Sequence, residues 1–137
     1  MNQDSSLLSP KQKAYSIDVC GSPYKNGNAD LLYDADSIEQ SLRNLTVGYI
    51  GCKSRIFNQT FGSQTYDFIG EPLDDRTAAA IRTSLLQSIG KWEPRVSVTA
   101  SNLTVIPKIS VPGYLVVISY VVLATSSSET TSFNIKL

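Results

Sequence analysis

Five carboxylates in the middle of the chain, Asp67, Glu71, Asp74, Asp75 and Glu93, are the residues whose type and spacing first suggest chemistry. A lysozyme-like hydrolase needs two carboxyl groups roughly 5–9.5 Å apart across a cleft. Asp74 and Asp75 have a simpler role, because they stand where a helix begins and a carboxylate there accepts from free N–H groups and meets the positive end of the helix dipole. No aromatic-rich substrate groove accompanies the acids. The sequence also contains no His, so the commonest general base, the Ser-His nucleophile systems and most zinc sites lack their central residue. Cys20 and Cys52 have no C-x-x-C spacing and read as free thiols rather than a disulfide framework or a metal site. The expectation is a protein that is not an enzyme, with no catalytic residue, cofactor or metal. A cell-wall hydrolase and a soluble adaptor or regulatory module are the alternatives.

The second stretch with chemical content is "KWEPRVSV", residues 91–98. Pro94 disfavours helical backbone at Glu93 and cannot donate its own nitrogen, so it ends a helix and turns the chain extended. That accounts for Pro94 but not for the charges beside it. A rigid proline between a carboxylate and a planar, bidentate guanidinium presets an anion and a cation at a fixed angle, which suits a protein interface. The competing reading of Glu93 and Arg95 is a solvated local ion pair of small energy. Trp92 continues the apolar face of the preceding helix and reads as the lid of a core rather than a ligand platform.

These residues must be positioned by one globular domain, the usual product of 137 residues. Twelve Lys and Arg balance twelve Asp and Glu, so no net field draws the chain to nucleic acid or an anionic membrane. The start lacks the basic and apolar regions of a signal peptide, and the longest nearly apolar run, 114–124, is too short to span a bilayer. The reading is a soluble protein made in the cytoplasm. Residues 1–32, rich in Ser, Asn, Gly and Pro, read as an irregular N-terminal arm. A helix is expected from about Asp36, with Ile38, Leu42, Leu45 and Tyr49 at helical spacing and Gly48 and Gly51 at its end. A strand or hairpin fragment near Ile56 and a short helical turn follow. The second helix carries Ala78, Ile81, Leu85, Ile89 and Trp92 on one face and stops at Pro94.

The rest reads as strands. Val96 and Val98 have one parity and Leu103 and Val105 the other, which predicts a one-residue bulge near Ser101 or Asn102. The run "PGYLVVISYVVLA" is apolar on both parities and reads as a central strand covered on both faces. In "TTSFNIKL", Phe133, Ile135 and Leu137 alternate with polar residues, and the chain stops inside this strand with no tail to cover a sheet edge. From Val96 onward only Lys108, Glu129 and Lys136 are charged, so this edge has little of the charge that guards exposed strands from pairing. The fold class expected is α+β: two main helices on a small C-terminal sheet of about three strands, forming a single domain over residues 33–137.

Between about residues 36 and 98 the pieces "DSIEQSL", "KSRIFNQTFGS", "EPLDDRTAAAIRTSL" and "WEPRVSV" follow one another in an order that resembles the baseplate wedge, or sheath-initiator, proteins of contractile phage tails. They are similar also to the baseplate subunit of type VI secretion systems. The family is marked by Glu-Pro-Arg directly after a helix. The second piece departs from its pattern, since family members carry a more basic, Gly-containing turn and a Pro before the Phe-Gly pair where this chain has Asn58, Gln59 and Thr60. The resemblance implies a structural virion component in the tail baseplate, with wedge proteins, tail sheath and the tail tube or hub as partners, and no nucleic acid or membrane. It implies that Glu93, Pro94 and Arg95 face the wedge. It implies further that the last strand, Ser132, Phe133, Asn134, Ile135, Lys136 and Leu137, accepts extended arms of the sheath, the main chain giving affinity and alternate side chains register.

Overall fold

The computed structural model describes residues 17–19, 31–48, 50 and 58–136. Among these residues it is α+β, with two α-helices and a small antiparallel sheet at the C-terminal end, as the residue patterns require. The chain divides between Gln40 and Ser41 into two compact units.

In the first unit, β1 (Ile17–Val19) pairs antiparallel with β2 (Leu31–Tyr33), Asp18 lying opposite Leu32. The region read as an irregular arm thus holds a short ladder. Strands of three residues are too brief to show a period of two, which is why no sequence pattern marks them. Helix α1 (Asp34–Val47) follows β2 directly and runs across the division, its residues from Ser41 onward belonging to the second unit. It starts two residues before Asp36, through Asp34 in the left-handed region at φ 52°, a conformation that Asp tolerates better than most residues. Ile38, Leu42 and Leu45 are buried along it at the expected spacing. Gly48 ends it, and its N–H bonds to the carbonyl of Asn44 at 2.8 Å. A Cβ at residue 48 would lie 2.8 Å from that same oxygen, so the close approach selects glycine. Tyr49, Gly51, Ile56, Cys20 and Cys52, with the readings attached to them, fall outside the described residues.

In the second unit, Thr65–Phe68 forms the expected helical turn, of 3-10 type. Helix α2 (Asp75–Trp92) is capped by Asp74, whose Oδ1 accepts from the N–H of Thr77 at 2.8 Å. That backbone bond is the main reason the Asp74 carboxyl titrates below its ordinary value. Ala78, Ile81, Leu85 and Ile89 are buried on one face of α2. Trp92, one turn later, is half-buried, with Phe61 tilted against it at 5.4 Å and the Lys91 ammonium 4.7 Å from its ring centre.

The sheet is built on β5 (Gly113–Val122), which pairs on one side with the full length of β6 (Ser127–Lys136). Its other side is shared by β3 (Val96–Ser97) and β4 (Leu103–Lys108). The parity change falls where expected but is larger than one residue. Ser97 lies opposite Val121 and Leu103 opposite Ile118, so residues 98–102 face only residues 119–120. The excess forms a 3-10 turn, Ala100–Asn102, closed by Asn102 N–H to Thr99 O at 3.0 Å. Any odd excess restores the facing, so parity located the interruption without giving its length. Val96 and Leu103 are both buried as a result. β5 is central in hydrogen bonding, and Tyr114, Val116, Ile118, Tyr120 and Val122 fill the core. Its alternate residues Leu115, Val117, Ser119 and Val121 are only half-buried, so the expected cover on both faces is met on one.

Candidate interaction site

Glu93 sits at the C-cap of α2, where Pro94 forces the chain out of the helix and brings Arg95 back over the carboxylate. The two form a fork: Arg95 Nε donates to Oε1 at 2.6 Å and Nη2 to Oε2 at 2.7 Å. Ser41 of α1 donates its hydroxyl to Oε2 at 2.5 Å. Glu93 is 3% exposed. Burial raises its pKa, but the Arg95 and Ser41 bonds and the Arg95 charge outweigh it and leave the carboxyl below its ordinary value. The Arg95 carbonyl accepts from Leu123 N–H at 3.0 Å, fixing the turn to the end of β5.

The proline turn does preset the two charges against each other, but the anion is internal rather than presented beside the cation. The pair is not a solvated surface bridge, because its carboxylate is buried and fully engaged. What reaches the surface is Pro94 and part of Arg95. Ser41, 52 positions away in sequence, is the member that sequence reasoning missed, and no local pattern signals it.

The second expected region lies apart from the first. β6 pairs with β5 along its whole length, and among the described residues nothing pairs with its other side. Ser132, Asn134 and Lys136 are exposed, Phe133 and Ile135 half-buried, and Thr131 buried. Leu137 lies outside the described residues. The "FGS" segment is anchored near α1: Ser63 N–H donates to the Gly48 carbonyl at 2.8 Å, and its hydroxyl bonds Thr65 at 2.7 Å. Asn58, Gln59 and Thr60, where the sequence leaves the family pattern, form an exposed turn before it. Of the five carboxylates weighed as a hydrolytic pair, Asp74 is a helix cap and Glu93 is buried under Arg95, while Asp67, Glu71 and Asp75 are exposed. Among the described residues no cluster of His, Cys, Asp and Glu could hold a metal, and no helix is long and apolar enough to cross a membrane.

The sequence matches the family model of the baseplate wedge protein gp25 over residues 33–127, well over half of the chain. The chain belongs to this family. It is thus a baseplate wedge component of a contractile tail-like particle. Solved structures share the fold. A protein of Geobacter sulfurreducens, provisionally described as a tail lysozyme, is 22% identical and superposes with a TM-score of 0.68 over 77% of this chain and 94% of its own. A chain of the anti-feeding prophage baseplate is 21% identical, with a TM-score of 0.55 over 88% of this chain and 80% of that one. A chain of the post-contraction pyocin R2 baseplate is 16% identical, with a TM-score of 0.53 over 89% and 99%. No curated protein matches the sequence.

Proposed function

We propose that this gp25-family protein is a non-enzymatic tail component that docks on neighbouring wedge proteins and starts sheath assembly around the tail tube by offering the free edge of β6 to an extended arm of the sheath. The observation that carries this reading is the edge itself: ten residues with one side unpaired among the described residues, and only Glu129 and Lys136 as charges. An edge of that length, so lightly charged, is a hazard unless something pairs with it. Strand addition satisfies its backbone groups and reads register through alternate side chains. Pro94 and the exposed part of Arg95 are the wedge-facing surface in this reading, with Glu93 holding Arg95 in place from behind. In this reading the protein is made in the host cytoplasm.

Proline substitution on β6 tests the edge. In an antiparallel ladder, residues two apart send their N–H groups to the same side. Ser132 and Asn134 therefore stand or fall together, and Glu129 belongs to the opposite class. One class breaks the β5–β6 ladder and unfolds the sheet; the other is tolerated, because it removes donors only from the free side. Tails carrying the tolerated variant are expected to hold bare tubes under electron microscopy. Full-length sheaths on them would end the strand-addition reading. The non-enzymatic part is tested by turbidity: the purified protein is expected to leave cell-wall material unlysed, and clearing would restore hydrolysis.

A further inference from the structure

The face of the sheet opposite the core is not uniformly polar. β6 contributes Ser128, Thr130, Ser132 and Asn134 to it, as a solvated face should, but β5 contributes Leu115, Val117 and Val121. Ile106 of β4 lies beside Leu115 in the register and is 44% exposed. This apolar strip runs into the β4–β5 turn, where Ile109 is 85% exposed and Val111 57%.

Cations gather at the same end. Lys108 and Lys136 both pair with Gly113, one from each side. Two strand spacings separate them, about 10 Å, and Gly113 puts no side chain between. A surface cavity of about 290 Å³ opens at the end of the sheet between Lys108, Val111 and Lys136, with Tyr114 and Ile135 of the core-facing parity also lining it, and the apolar strip of Ile106 and Leu115 stands beside it rather than in it. Neither lysine has an acidic partner among the described residues. Glu129, the only acid on β3–β6, lies opposite Tyr120 towards the other end of the sheet. Lysines also guard strand ends against pairing, but that role calls for no apolar neighbours and leaves Ile109 and Val111 unexplained.

We propose that this end of the outward sheet face docks a segment of a different baseplate protein that presents an apolar side chain flanked by carboxylates. Ile106, Ile109 and Leu115 receive the apolar group, and Lys108 and Lys136 neutralise the acids. Apolar contact supplies area, and the paired charges set orientation and suppress wrong partners. The contact uses side chains on a sheet face. It is independent of main-chain pairing at the β6 edge and rests only on membership of the baseplate family.

A photo-crosslinking amino acid at Ile109, in baseplates assembled with the full chain, tests it by mass spectrometry of the crosslinked peptides. The expected product joins Ile109 to a segment of another baseplate protein with Asp or Glu next to the attached residue. Lys108→Glu combined with Lys136→Glu is expected to cut its yield roughly ten-fold, with a circular dichroism spectrum and melting curve like those of the parent. Should that variant fail to fold, Lys108→Gln alone is expected to lower the yield. Attachment to a second copy of this chain or to a segment without acids would overturn the proposal, as would no product or a yield indifferent to the lysines. Neither lysine substitution removes a backbone donor from β6, so this result and that of the proline test can fail separately.

Discussion

Glu93 keeps its charge inside the protein because three donors converge on it, two from Arg95 and one from Ser41. Removing the guanidinium leaves a buried carboxylate with a single neutral partner. Arg95→Ala is expected to cost about 2–3 kcal/mol in urea unfolding, more than exposed pairs are worth. Arg95→Lys should recover only part of that, since an ammonium cannot make the fork. The lowered pKa of Glu93 fixes the sign of a pH effect. Its contribution is fully present above the unfolded carboxyl value of about 4.3 and is lost as pH falls through the lower folded value. Glu93→Gln should therefore be less stable than the parent at neutral pH and lose less on acidification, measured as unfolding midpoints across that window. Pro94 could be read from sequence because its effect is local. The burial of Glu93 could not, because it depends on a serine in another helix.

At the scale of elements, the helix patterns were legible because burial repeats every three or four residues and caps are local. The Asp74 cap and the buried stripe of α2 are both visible in the order of residues. The 3-10 insertion between β3 and β4 was half legible: a parity switch reports an odd excess and nothing more. Gly113 carried no signal beyond its place in a Pro-Gly turn. At Gly113 β5 begins so close to β6 that a Cβ would overlap the carbonyl oxygen of Ile135. Gly113→Ala is expected to destabilise by about 1–3 kcal/mol, as overpacking does. Faster amide hydrogen exchange at the Lys136 end of β6 than at the Ser127 end would show that the loss is local, and an unchanged melting temperature would contradict it.

At the scale of the whole molecule, the match to the baseplate wedge family narrows the function most, and the balance of twelve basic and twelve acidic residues offers no net field to steer a partner. The sheet offers two surfaces to a partner, the free edge of β6 and the outward face of β5. The edge could be anticipated from its lack of charge; the face could not, because a strand apolar on both parities reads as one buried on both sides. The most direct test of the central claim is a cryo-electron microscopy map of the assembled tail that includes this chain. The account predicts an extended sheath segment running beside β6 at one strand spacing, about 4.8 Å, continuing the sheet from Ser127 to Lys136. A β6 edge open to solvent, with the sheath held elsewhere, would contradict it.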